Sequence, residues 1–278
     1  MNIHELQKKS IDYRKSLLKI IKHANAGHTG GDLSCIDIIN VLYNGVMNIS
    51  PENFDSFDRD HYIQSKGHSV EALYVVLADC GFFPKEDLLT LCRYQSHYVG
   101  HPTRKVRGIE HNTGALGHGL SVSVGMALAG KMGNKNYRVF CLLGDGELVE
   151  GSNWEAVMTA AHYKLDNLIA IVDYNKLQIT GPTPDVCNIE PLAEKFAAFG
   201  WSVGHVDGHS INDLGSTLSQ TPLQENKPTV FLARTVKGKG ISFMENNKKW
   251  HHRVPDDIEY QRALQELENL TETSLISD

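Results

Sequence analysis

Apolar positions recur along the chain with two different periods. Between 3 and 24, Leu6, Tyr13, Leu17, Ile20, Ile21 and Ala24 fall near one face of an α-helix. The same spacing predicts helices over 35–46, 71–80, 120–131, 154–164, 192–198 and 211–220, and an amphipathic tail helix over 257–270. Two unbroken apolar runs differ: Val139-Phe140-Cys141-Leu142-Leu143 and Leu168-Ile169-Ala170-Ile171-Val172. Continuous runs of this length belong to strands covered on both faces. Shorter strands are expected over 201–206 and 229–235. Strands alternating with helices predict an α/β fold, a parallel sheet with helices on both faces. The glycine-rich break 26–31, the polar stretch 94–118, Gly181-Pro182-Thr183-Pro184 and 236–256 read as loops. No internal repeat, low-complexity tract or linker-like boundary interrupts the chain, so 1–278 reads as one domain.

The two apolar runs and the helix between them form a βαβ unit, and its ends carry polar groups. The first run stops at Gly144-Asp145-Gly146, the second at Asp173-Tyr174-Asn175. A right-handed crossover leaves consecutive parallel strands with their carboxyl ends on one side of the sheet. Asp145 and Asn175, thirty positions apart, therefore emerge where open α/β sheets bind ligands. A carboxylate and an amide oxygen there begin a hard-cation site, suited to Mg²⁺ carrying a phosphate-bearing ligand. Gly144 and Gly146 let backbone approach that ligand without a Cβ in the way. Asp-Gly alone is a common turn pair; the ordered series strand, Gly-Asp-Gly, helix, strand, Asn is far more specific.

Fourteen histidines are present, and a lone histidine is usually structural. Four are placed differently: His28, His68 and His101, each directly after glycine, and His251 beside Trp250. Imidazole is the side chain best matched to proton transfer near neutral pH. His4, His23, His61, His162, His205 and His209 are expected at surface or capping positions.

Composition acts mainly by exclusion. Lys and Arg number 27 against 33 Asp and Glu, well mixed, for a net charge of −6, which argues against nucleic acid as a partner. No apolar run approaches the ~18 residues of a membrane span, and the polar start Met1-Asn2-Ile3-His4-Glu5 has no signal-peptide core. Cys35, Cys80, Cys92, Cys141 and Cys187 lack metal or redox spacing and suit a reducing compartment. A cytoplasmic location is the expectation.

Taken with their neighbours, these motifs resemble the thiamine-diphosphate-binding half of transketolase, and most closely the short subunit of split, two-chain transketolases. The resemblance rests on Ala26-Gly27-His28-Thr29-Gly30-Gly31, Gln64-Ser65-Lys66-Gly67-His68, Gly100-His101-Pro102 and Asn112-Thr113-Gly114-Ala115-Leu116-Gly117-His118-Gly119. It continues through Gly144-Asp145-Gly146-Glu147-Leu148-Val149-Glu150-Gly151, Asp173-Tyr174-Asn175 and Val236-Lys237-Gly238-Lys239-Gly240. It implies ketol transfer from a ketose to an aldose, with thiamine diphosphate as cofactor and Mg²⁺, or another divalent cation such as Ca²⁺, as metal. Asp145, Asn175 and the Leu177 carbonyl would hold the metal, with Gly144 and Gly146 close to the diphosphate. Gly114, Ala115 and Leu116 would flank the aminopyrimidine. His68 and His251 would serve cofactor and reaction; His28 and His101 would contact sugar hydroxyls and move protons. Glu150 would lie at the contact between subunits, near the cofactor.

In full-length relatives the pyrimidine-binding domain follows this region, and here the sequence stops at Asp278. The resemblance thus implies a second, pyrimidine-domain polypeptide and an α₂β₂ heterotetramer acting on sugar phosphates or other anionic sugars. Other thiamine enzymes, a 2-oxoacid dehydrogenase or a deoxyxylulose-phosphate synthase component, are the alternative. Thr29, Asp32, His111-Asn112 and His252-Arg253 depart from the family pattern, which near the last pair is Trp-His-Gly-Lys. Neutral drift and contact with an anionic sugar terminus both remain open for them.

Overall fold

The computed structural model describes residues 1–276. Five strands form one all-parallel sheet: β1 His61–Gln64, β2 Val139–Gly144, β3 Leu168–Tyr174, β4 Ser202–Asp207 and β5 Thr229–Arg234. Their order in the sheet is β1-β2-β3-β5-β4. The two apolar runs are the adjacent strands β2 and β3, with Gly144 level with Asp173.

Period-two alternation along these strands builds two separate cores. Phe140, Leu142, Ile169, Ile171 and Phe231 point to one face; Val139, Cys141, Leu143, Ala170 and Leu232 point to the other. The first face is covered by α1 Ile3–Ala24, α2 Thr29–Val41 and α3 Val70–Asp79, followed later in the chain by α8 Ile211–Leu218 and α9 Asp257–Ile276. The second is covered by α4 Gly119–Met132, α5 Gly151–His162 and α7 Leu192–Ala198; α6 Thr183–Val186 is a single turn in the loop after β3. Every residue of α2 is buried, so it runs inside the helical layer rather than over it.

Two expectations are corrected. The glycine-rich stretch expected as a break is in part the first turn of α2, which starts at Thr29 with His28 as its cap residue; the His28 carbonyl accepts from the amides of Gly31 (2.9 Å) and Asp32 (3.1 Å). Glycine is a poor helix former in isolation, but Gly30 is needed here: a Cβ on it would come within 2.8 Å of the Trp250 carbonyl oxygen. Strand β1 has no counterpart in the sequence pattern. His61-Tyr62-Ile63-Gln64 offers no apolar run, and it is a strand because β2 provides a ladder for it.

Candidate active site

Four of the five strands deliver a candidate group from their carboxyl ends. Beyond β1 come Lys66 and His68, beyond β2 Asp145, beyond β3 Asn175 and Leu177, and beyond β5 Lys237. All six line one cavity of about 500 Å³, together with His28, His251, Gly114, Leu116, Gly144, Gly146 and Glu150. The volume is in the range of cofactor pockets.

One wall is made of oxygen. Asp145 is almost wholly buried, and its carboxylate accepts from the backbone amides of Gly146 (2.7 Å) and Lys176 (2.5 Å). The Asn175 amide oxygen accepts from the Leu177 amide at 3.0 Å, and its nitrogen donates to Ser34 and Asp173, both at 3.3 Å. Burial, and then the neighbouring Asp173, push the Asp145 carboxyl up to about 7. A divalent cation would reverse that penalty. Among the described residues no three His, Cys, Asp or Glu side chains cluster as metal ligands; the donors available on this wall are one carboxylate and two neutral oxygens, those of Asp145, Asn175 and Leu177. That set, open to a ligand's own oxygens, fits Mg²⁺ or Ca²⁺. Lys237 Nζ reaches the Leu177 carbonyl at 3.2 Å and His251 Nδ1 at 3.0 Å. Burial, with Lys66 nearby, lowers its ammonium to about 8, and a bound diphosphate would restore the charge. Leu116, Val149 and Ile179 give the cavity an apolar side suited to aromatic rings.

The second feature is a cluster of imidazoles. His28 is its centre, with ring centroids 5.3 Å from His68, 6.1 Å from His101 and 5.6 Å from His251. All four loop histidines picked out in the sequence therefore meet. Burial is the main cause lowering each of them, His28 to about 4, His251 to about 3, His68 well below its ordinary value. Neutral rings are the result at pH 7, able to accept protons. An ammonium has only protons to offer, so Lys237 fixes His251 with Nδ1 as acceptor and N–H on Nε2. His28 Nδ1 is buried without a partner.

Missing side chains allow the loops to meet. A Cβ on Gly67 would stand 2.7 Å from the Gly114 amide nitrogen, and one on Gly114, at φ +139, would stand 2.6 Å from the His101 ring. Ala115 is exposed and does not line the cavity; Glu150 is exposed at its rim.

Several residues that hold the site together carry no signal of their own in the sequence. Lys66 and Asp173 form a buried ion pair beneath it. Lys66 also donates to the Gly31 carbonyl at 3.1 Å. Buried Glu147 accepts from the amides of Gly117 (3.0 Å) and Gly144 (3.1 Å) and from the Ser65 hydroxyl, tying three site loops together. His61 and His209, expected at the surface or at caps, are instead largely buried. His61 joins the Arg59–Glu110 pair. His209 donates from Nδ1 to Asp37 at 2.8 Å and accepts at Nε2 from the Val236 amide at 2.8 Å, which anchors the loop carrying Lys237. Lys237 and Glu147 lie within the family motifs, but only their depth beside anion or amide partners marks them out.

Comparison with known proteins agrees with this geometry. The family described as "Transketolase, thiamine diphosphate binding domain" matches residues 6–267. An apulose-4-phosphate transketolase subunit from Phocaeicola vulgatus is 46% identical over 96% of this chain and 95% of its own. The 6-deoxy-6-sulfo-D-fructose transketolase subunit SqwG of a Clostridium species is 41% identical, over 95% of this chain and 96% of its own. The crystal structure of Campylobacter jejuni transketolase superimposes with a TM-score of 0.87 at 31% identity, covering 96% of this chain; the chain spans 43% of that protein. The chain belongs to the transketolase family and carries its thiamine-diphosphate-binding domain.

Proposed function

We propose that this chain is the diphosphate-binding subunit of a two-chain transketolase that moves a two-carbon ketol unit from an anionic ketose to an aldose. The observation that carries the reading is that His28, His68 and His251 share one cavity with Asp145, Asn175 and Leu177, with His101 6.1 Å from His28 at its edge. The Asp145 carboxylate, the Asn175 amide oxygen and the Leu177 carbonyl would hold Mg²⁺ against the diphosphate, with Gly144, Gly146, Glu150 and Lys237 close by. Gly114 and Leu116 would flank the pyrimidine, with Ala115 turned away from the cavity. When bound, thiamine diphosphate supplies the electron sink for breaking a carbon–carbon bond.

The protein's part is positioning and proton transfer. His28, with an unpartnered buried Nδ1, would take the proton of a substrate hydroxyl, and His101, 6.1 Å away, would hold a neighbouring hydroxyl. His68 and His251, 5.2 Å apart and lining the same cavity as His28, would serve cofactor and reaction. Lys237 orients His251 and offers charge to an anion.

The partner would supply the pyrimidine-binding domain, as the names of the relatives suggest by calling them subunits, in an α₂β₂ assembly with Glu150 at the contact. No described helix is long and apolar enough to cross a membrane, and five free cysteines suit the cytoplasm. Phosphate- or sulfonate-bearing ketoses are the substrate class indicated by the same relatives.

The test sets two reactions against each other with the reconstituted two-chain assembly, thiamine diphosphate and Mg²⁺. Ketol transfer from xylulose 5-phosphate to an aldose phosphate is expected, and decarboxylation of pyruvate is not. The reverse pattern would mark a 2-oxoacid dehydrogenase or deoxyxylulose-phosphate synthase component.

A further inference from the structure

Three of the departures from the family pattern form one physical unit at the edge of the histidine cluster. The Thr29 hydroxyl donates to the Arg253 carbonyl at 2.6 Å, a bond that an apolar side chain at this position could not make. Gly30 lets the Trp250 backbone close in beside it. The Arg253 guanidinium lies 4.4 Å from the Trp250 ring centroid and pairs with Glu259 at 2.6 Å. Its charge is already matched, so its part is to pin the turn rather than to bind an anion. The turn so pinned holds His252 against His28, with ring centroids 4.5 Å apart, nearer than any of the other three imidazoles. His252 is exposed and lies outside the cofactor cavity, whereas His28 lines it. No hydrogen bond to the described residues engages the His252 ring.

We propose that His252 is a substrate-specificity residue, its imidazole hydrogen-bonding a hydroxyl of the ketose beyond the two-carbon unit, where the family pattern has glycine. The inference rests on the ketol-transfer reading of the site. A glycine there leaves room and water; an imidazole held by Thr29 and Arg253 offers one donor and one acceptor at fixed distance from His28. A polyhydroxylated chain leaving the cavity past His28 meets that ring. Thr29 then has a function through the same contact.

The experiment uses the reconstituted two-chain holoenzyme with two donors. Xylulose 5-phosphate carries the hydroxylated chain; β-hydroxypyruvate offers the same two-carbon unit with a carboxylate in its place. His252→Gly is expected to lower kcat/KM for xylulose 5-phosphate by about tenfold, mainly through KM, the effect of losing one ordinary hydrogen bond. With β-hydroxypyruvate the change should stay within about twofold, and thiamine diphosphate affinity and Tm should not move. His252→Asn, which keeps a donor and an acceptor, should recover part of the loss. Equal losses on both donors, or none on either, would overturn the assignment while wild-type transfer and its loss in His28→Ala leave the site reading intact. A wild-type assembly with no ketol transfer from any donor would overturn that reading and this inference with it.

Discussion

Asp145 is oriented by the protein itself, since the amides of Gly146 and Lys176 both donate to its carboxylate. Burial, and then the neighbouring Asp173, raise it to about 7, so the metal and the carboxylate would stabilise one another. Asp145→Ala is expected to abolish Mg²⁺-dependent binding of thiamine diphosphate rather than merely slow turnover, and Asn175→Ala to do nearly as much. Calorimetry on the assembled enzyme checks this; near-normal affinity in either variant would refute the metal assignment. His28 and His101 are expected to be separable from cofactor binding, because neither belongs to the Asp145–Asn175–Leu177 oxygen wall. Each alanine variant should lose roughly 10²-fold or more in ketol transfer with cofactor affinity kept, as steady-state kinetics and calorimetry together would register. A third residue-scale test concerns Asp32, fully buried beside Glu71 with one oxygen unpartnered. Burial raises both carboxyls, Asp32 to about 7. The folded state therefore holds a proton that the unfolded chain releases near pH 4, and stability from this group is lost as pH rises from about 4 to about 7. Asp32→Asn keeps the bond from the Ala72 amide and removes the titration. Melting curves from pH 5 to 8 should show the variant gaining on the wild type as pH rises; a constant gap would contradict the buried acid.

At the scale of elements, function follows from strand ends meeting on one side of a parallel sheet. β2 and β3 are legible in the sequence because unbroken apolar runs have few alternatives, and their polar termini mark the oxygen wall. The helices over 192–198 and 120–131 emerge almost as read. β1 and the start of α2 are not legible, for opposite reasons. β1 is four residues without an apolar run, and α2 opens on Thr-Gly-Gly, whose helical state depends on burial against Trp250 and the 66–69 turn. Among site residues, those with chemistry next to glycine can be found by motif. Glu147 and Lys66 sit inside such motifs and His209 does not, but none of their roles can be read there, because those roles consist of bonds to backbone and ions far away in sequence. Glu147 gives the clearest element-scale prediction. Glu147→Ala removes the acceptor of two loop amides and the Ser65 hydroxyl, leaving buried donors unpaired. A loss of about 2–4 kcal/mol is expected, read by denaturant unfolding, with cofactor binding weakened because the loops at 114–117 and 144–146 lose their common tether.

At the scale of the whole molecule, the proposed reading makes the cavity one half of an active site: the groups proposed to hold metal, diphosphate and sugar lie in or beside it, and the pyrimidine-binding half is expected from a second polypeptide. The chain spans 43% of a solved transketolase but nearly all of relatives that are themselves named as subunits. Glu150, exposed at the cavity rim, is the residue of this chain expected at the contact between the halves. Glu150→Ala should weaken assembly or the cofactor response more than folding, as sedimentation beside thermal melting would reveal. The most direct test of the two-chain reading is ketol transfer measured for this chain alone, for the pyrimidine-domain polypeptide by itself and for the two mixed, each with thiamine diphosphate and Mg²⁺. Activity is expected only in the mixture; sustained thiamine-dependent ketol transfer by this chain alone would contradict it.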